Sequence, residues 1–343
     1  MKKIFAIALA VAAFAACNKA EVVETAPGVA IAFDNAFVDN ATKAATDITK
    51  ANLNDFGVYG TVAKGENSAL IFNNQTVTKT GDAAPYKYTY SPVQYWIEGA
   101  QYTFSAYAPS TNAKWAFTPA AGKDAYNGTL SFDNATAEGE QDLLYAAATR
   151  TTPDALSATP AAVSFTFSHL LSKVVFKYTN GFTDKNISLN VYDVKINNAA
   201  AEGTIPVAAG QAGLWTAAAD DNDYVRSFGS ATASADAALA NGASTTTEHF
   251  YLIPVKRTYN ITFKVDLYQA GVLLDTYVHT VNTEINIEKG KSYSFNATLT
   301  PSNVNPNSQL YPIEFNVTDV NGWDPAIGGS DVTIPVPTPT PGA

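Results

Sequence analysis

Alternation of apolar and polar positions dominates the chain, and it is most regular in Val163–Tyr178. Val163, Phe165 and Phe167 alternate with Ser164, Thr166 and Ser168, the period-two pattern of a strand with one buried face. After Leu171 the alternation resumes, with Val174, Phe176 and Tyr178 on one face and Val175 and Lys177 on the other. The break at Ser168–Ser172 predicts a bulge or a crossing from one sheet to another. The stretch therefore reads as a long central strand. His169 reads as a histidine at a strand irregularity rather than a catalytic group.

The same period recurs along the chain. Val29, Ile31 and Phe33 alternate with Ala30, Ala32 and Asp34 and predict a short first strand. Asp34–Lys50 lacks periodicity and reads as an exposed linker. Strands follow at Phe56–Val62, Ala69–Phe72, Thr76–Lys79, Tyr86–Tyr90, Gln101–Ala108, Trp115–Phe117, Gly128–Phe132 and Asp142–Ala147, with Asn73-Asn74 expected to form a turn. Ile187–Ile196 switches faces near Val194 and predicts a bulged strand. Ala199–Thr247, rich in small and polar residues, reads as loop. Phe250–Val255, Tyr259–Tyr268, Val272–Val281 and Lys291–Thr298 read as strands, with Ala270-Gly271 as a hairpin turn. Ile313, Phe315 and Val317 alternate again, and Val320 and Trp323 are expected to close that core. No amphipathic helix of useful length appears.

Many short strands with turn signals between them mean sandwiches or barrels. A length of 343 residues favours two domains. Ala148–Ala162, with Pro153 and Pro160, is the natural boundary. The fold expected is all-β, two antiparallel β-sandwich domains at 29–160 and 161–330, with a Pro-rich tail at 331–343.

Composition narrows the function. The formal charge is −10, and there is no basic run, so a nucleic-acid partner is excluded. Lys2 and Lys3 precede the apolar run Ile4–Phe14 and then Ala15-Ala16-Cys17. A charged n-region, short apolar core and small residues make an export signal over 1–16. The run falls short of the ~20 apolar residues of a spanning helix. The single cysteine stands at the cut, between Ala16 and Cys17, like the acylated cysteine of a lipoprotein. Phe14 replaces the leucine usual at its position. Residues 17–28 then read as a lipidated tether to the cell outer membrane.

Enzyme signatures are missing. His169, His249 and His279 are the histidines, and no nucleophile elbow, phosphate loop or His-x-x-x-His pair occurs. Asp220-Asp221-Asn222-Asp223 is rich in oxygen but lacks the glycine and distal glutamate of a calcium loop, so it reads as a solvated loop. Of the four tryptophans, Trp96, Trp115 and Trp323 lie within or beside strand patterns and read as core. Trp215, in polar sequence, is the one candidate for a sugar platform. No cofactor and no metal is expected, and the chain reads as non-enzymatic.

Phe165-Thr166-Phe167-Ser168-His169-Leu170-Leu171-Ser172-Lys173-Val174 resembles the Phe-x-Phe-x-His-x-x-Ser-Lys-Val signature of the Bacteroidales fimbrillin family, subunits of type V pili. Asp142-Leu143-Leu144-Tyr145-Ala146, Tyr95-Trp96, Tyr102–Pro109, Tyr251-Leu252-Ile253-Pro254 and Glu288–Tyr293 fit the family in order. The resemblance implies transthyretin-like Greek-key sandwiches and a pilus subunit that assembles with copies of itself or related pilins. It also implies removal of the first strand by a trypsin-like protease that cuts after a basic residue, usually arginine. No arginine precedes Arg150, so the cut is expected at Lys43-Ala44, with Lys50-Ala51 as runner-up.

Val332, Ile334 and Val336 repeat the spacing of Val29, Ile31 and Phe33 and make the tail the candidate donor strand. Pro335, Pro337, Pro339 and Pro341 remove donors along one side, so pairing is expected to centre on Ser330–Ile334, with Ile313–Val317 as a further segment. The alternative function is a non-polymerising surface lipoprotein or tip adhesin that binds a ligand.

Overall fold

The computed structural model describes residues 28–34, 36–38, 48–49, 51–81, 86–110, 114–120, 126–134, 141–156, 160–208, 210–218, 224–233, 238–307 and 313–319. Among them every regular element is a strand. The first half holds β1 (Phe33–Asp34), β2 (Phe37–Val38), β3 (Asp55–Lys64), β4 (Asn67–Thr80), β5 (Lys87–Thr89), β6 (Gln101–Ala108), β7 (Trp115–Pro119), β8 (Gly128–Asp133), β9 (Leu144–Thr151) and β10 (Thr166–His169). The second holds β11 (Ser172–Asn180), β12 (Ile187–Ala199), β13 (Glu202–Ala208), β14 (Gln211–Ala212), β15 (Thr216–Ala217), β16 (Tyr224–Gly229), β17 (Ser244–Thr246), β18 (Phe250–Leu252), β19 (Lys256–Gln269), β20 (Val272–Asn286), β21 (Ser292–Leu299) and β22 (Asn316–Asp319).

An eight-stranded sheet in the order β1-β5-β4-β3-β6-β9-β10-β2 forms the first half. Its inner face carries Phe56, Val58, Phe72, Tyr102, Phe104 and Phe167, all buried in one cluster. The second half is a sandwich of β17-β11-β21-β22, with β18 also on β11, and β16-β12-β19-β20. Val174, Phe176 and Tyr178 face Leu189, Val191 and Phe263 inside it. Burying an aromatic or branched side chain contributes ~1.5–3 kcal/mol, so these two clusters carry the fold. Most pairings are antiparallel; β2 with β10 and β11 with β21 are parallel, each joining segments far apart in sequence.

The break at Ser168–Ser172 is a crossing between sheets: β10 pairs with β9, and β11 pairs with β21. The face switch in β12 is a bulge at Asp193, which has a positive φ of 52°. Ala270 and Gly271 both have positive φ, 49° and 80°, the conformation of a two-residue hairpin turn between β19 and β20.

Two readings are corrected. Asn73-Asn74 do not turn the chain; they bulge within continuous β4, two residues opposite Tyr59 alone. Asn tolerates the left-handed φ of 50° at position 74, and Gly57 leaves room for its side chain, which a Cβ there would meet at 2.6 Å. The loop reading of Ala199–Thr247 also fails in part. Gly203, Ile205 and Val207 of β13 are buried and alternate with exposed positions. β13 pairs with β8 from Glu202↔Asp133 to Val207↔Gly128, so a sheet β14-β13-β8-β7, with β15 also on β13, links the two halves across residue 160. Pro206 within it and the small residues around it hid a strand whose partner is some seventy positions earlier in the chain.

Candidate functional site

The candidate site is the place of the first strand. Residues 29–34 are hydrogen-bonded along both edges. On one side Trp96 N donates to Val29 O at 2.9 Å and Ile31 N donates to Gln94 O at 2.8 Å. Phe33 and Asp34 then pair with Tyr88 and Lys87. On the other side Val163 N donates to Ala32 O at 2.7 Å and Asp34 N to Val163 O at 3.2 Å. The segment thus joins the β5 side of the eight-stranded sheet to the β10 side and closes the sheet on itself. Beyond it, β2 runs parallel to β10, with Phe37 opposite Thr166.

Its side chains follow the alternation. Ile31 and Phe33 are buried, Val29 is half-buried against the same cluster, and Ala30 and Ala32 face out. Phe33 meets five rings: Phe56, Phe72, Tyr90, Phe104 and Phe165, with centroids between 5.4 and 6.2 Å. The Tyr90 hydroxyl donates to Ile31 O at 2.7 Å. Burial pushes that phenol up to about 12, so it stays a neutral donor at physiological pH. Emptying this slot would bare two strand edges and an aromatic floor, both costly in water.

The chain beyond the slot is tied down where it re-enters the described residues. Ile48 is half-buried against the first-half core. Asn52 N and Leu53 N donate to Thr49 O at 3.2 and 2.9 Å, and Lys79 Nζ donates to Ala51 O at 2.6 Å. Thr49 O thus accepts from the amides of both Asn52 and Leu53.

Four segments noted in the sequence converge between the halves. His169 Nδ1 lies 2.8 Å from Asp142 Oδ2, and both side chains are buried. Ser172 Oγ donates to Glu288 O at 2.5 Å, Gly290 N to Leu171 O at 2.8 Å and Asn134 Nδ2 to Tyr251 O at 3.2 Å. Lys289 Nζ donates to the carbonyls of Ala212 and Gly213. Spacing alone did not show that these segments meet. The cue that could have found the pair is a lone Asp and a lone His, each beside a run of buried apolar residues.

Trp215 is corrected: it is buried, and its Nε1 donates to Leu170 O at 2.6 Å, so it is a strut in the junction and not a sugar platform. Trp96 and Trp115 are buried as expected. Ile313, Phe315 and Val317 are buried in the second-half core, and β22 pairs with β21, so this segment completes its own sandwich. Ala51 is exposed. Ala16, Cys17, Lys43, Ala44, Lys50, Asp220–Asp223, Val320, Trp323, Val332, Ile334 and Val336 lie outside the described residues. Among the described residues no group of three or more His, Cys, Asp or Glu could hold a metal.

The fimbrillin-like family model matches residues 42–319. The chain belongs to that family. A candidate cell adhesion protein from Bacteroides ovatus shares the fold at 18% identity and a TM-score of 0.50, over 87% of this chain and 98% of that one. One from Bacteroides uniformis matches at 15% identity and a TM-score of 0.49, covering 85% and 97% of the two chains. The fimbrial anchor protein Mfa2 from Porphyromonas gingivalis matches at 11% identity and a TM-score of 0.40, covering 86% and 98%. Among curated proteins, no sequence matches the chain significantly.

Proposed function

We propose that this fimbrillin-like chain is a structural, non-enzymatic subunit of a cell-surface pilus that supports adhesion, assembled by removal of its first strand and donation of a strand from a neighbour. The observation that carries the reading is the closure of the eight-stranded sheet by residues 29–34, which hold it on both edges yet stand at the very start of the fold. A cut at Lys43-Ala44 would release this strand together with β2, which pairs with β10, and leave the strands from β3 onward continuous. What replaces it must offer apolar side chains at spacing two, and Val332, Ile334 and Val336 do.

In this reading the precursor is exported by residues 1–16, cut between Ala16 and Cys17, and acylated on Cys17 at the outer membrane. A trypsin-like protease then cuts Lys43-Ala44. Lys50-Ala51 is the runner-up, the next basic site before the fold resumes. The partners are copies of the chain or related pilins. The alternating prolines confine donor pairing to Ser330–Ile334, with residues from Pro335 onward pairing on one edge or extended in polyproline form.

The test combines sequencing and microscopy. Surface-shed filaments should begin at Ala44 or, for the runner-up site, Ala51, and deleting Asp331–Ala343, or making Ile334→Asp, should abolish them. Filaments that begin at Asn18 or retain acylated Cys17 would rule out strand removal. Normal filaments from both tail variants would rule out the tail as donor. A folded, surface-bound protein that never polymerises after cleavage would favour the adhesin instead.

A further inference from the structure

Among the described residues β20 pairs with β19 alone, so it is an edge strand of the second sandwich. Residues 279–284 of that strand border a cavity of about 390 Å³. Pro306 and the segment that leads into β22, with Ile313 and Phe315, line it from the other side. Here the inward face of β20 carries His279, Val281 and Thr283.

Two polar atoms in this wall are left over. His279 and Thr283 are 3% and 6% exposed, and among the described residues His279 Nε2 and Thr283 Oγ1 have no hydrogen-bond partner. Buried polar atoms nearly always have one. The ring of His279 is fixed from two sides. Phe263 stacks on it with centroids 4.9 Å apart and planes 17° from parallel. Its Nδ1 donates to the Val304 carbonyl, which leaves the Nε2 edge to the cavity that the residue lines. Burial holds its pKa down at about 4, so at neutral pH Nε2 is a bare acceptor. A ligand has to donate a hydrogen bond to it.

The charges around the cavity have one sign. Glu284 and Glu314 line it, and no lysine or arginine does. Lys256 Nζ balances Glu284 at 2.8 Å. Glu314 is exposed and makes no ion pair among the described residues. Val281, Ile313 and Phe315 add an apolar lining. An anion finds no partner here, and a sugar finds no open aromatic face, because Phe315 is buried in the core.

We infer that this cavity binds a small organic amine: a protonated amino group, donating to His279 Nε2 and balanced by Glu314, on an apolar stem that ends in a second polar group at Thr283. His279 and Thr283 are four residues apart on one face, about 13 Å along the strand, so a ligand that meets both is polar at each end. A cavity of this volume with a few convergent polar groups on an apolar lining has the form of a small-molecule site. It uses residues of the second half only and is independent of strand donation.

The experiment measures binding to the full chain by calorimetry at neutral pH, with melting curves to confirm folding. The probes are tyramine; phenethylamine, which lacks its phenol; and tyrosol and hydroxyphenylpropionate, which replace its ammonium by a hydroxyl and a carboxylate. Tyramine should bind, tyrosol about tenfold more weakly, as for loss of a charge-assisted hydrogen bond, and the propionate not measurably. Glu314→Gln should weaken tyramine about tenfold, while Glu66→Gln, which removes an exposed carboxylate in the first half, should leave it unchanged. Thr283→Val should weaken tyramine about fivefold and leave phenethylamine as it was. His279→Phe, which keeps an aromatic ring against Phe263, should bind tyramine no better than tyrosol. Failure of the wild-type chain to bind tyramine, equal binding of tyramine and tyrosol, or equal losses from Glu314→Gln and Glu66→Gln overturns the site.

Discussion

Phe33 stacks on Phe165, with ring centroids 5.7 Å apart and planes 16° from parallel. One ring belongs to the first strand and the other to the chain's central stretch, and the backbone bond from Val163 N to Ala32 O lies beside them. In the proposed assembly this is the contact that maturation must break and a donor must rebuild.

Phe33→Ala therefore weakens the uncut precursor. The ring is buried among five others. Its loss should cost about 3–5 kcal/mol in urea unfolding of the precursor. Processed subunits carrying the same substitution should assemble as wild type, because the residue is gone. Equal effects before and after processing would show that the first strand is never released.

The Asp142–His169 pair should be strongly coupled. Truncating one partner leaves the other buried without it, at a cost of about 3–5 kcal/mol for either Asp142→Ala or His169→Ala. Replacing both, Asp142→Ala with His169→Ala, should cost less than the two single changes added together. Denaturant titration of the four proteins closes the cycle, and simple additivity would show that the pair does not act as a unit.

His279 should make the second half sensitive to acid. Its ring stacks on Phe263 at 4.9 Å, and burial holds its pKa down at about 4, below the ordinary 6.5. The unfolded chain thus binds a proton at a pH where the folded chain does not. Stability should be unaffected by this residue above pH 6.5 and fall as the pH drops from 6.5 towards about 4. His279→Phe should flatten that part of the stability curve. An unchanged slope in the variant would assign the acid sensitivity to other groups.

Cys17→Ala should abolish membrane partition and lower the precursor mass by more than the sulfur, through loss of its acyl chains. Unchanged mass and partition would remove lipidation from the maturation scheme.

The sequence by itself determined the strands and their faces. Alternation at Thr166–His169 and Tyr259–Val265 reports burial of one side of the strand, and burial is what selects those side chains, whereas Phe104–Ala108 and Ser172–Phe176 are buried on both faces. The hairpin at Ala270-Gly271 was equally legible, since a two-residue turn needs residues that accept positive φ. The buried face of the first strand, Ile31 and Phe33, was read correctly as well.

Only the tertiary structure decided what those strands meet. A period of two names a face but not a partner. That residues 29–34 lie between Gln94–Trp96 and Val163, closing the sheet, depends on pairings some sixty and some one hundred and thirty positions away. The β13 strand was missed because Pro206 interrupts its short alternation and small residues surround it, and it is held in place by β8. Trp215 was taken for a surface residue because its neighbours in sequence are polar. Its neighbours in space, Leu170 and Phe132, made it core.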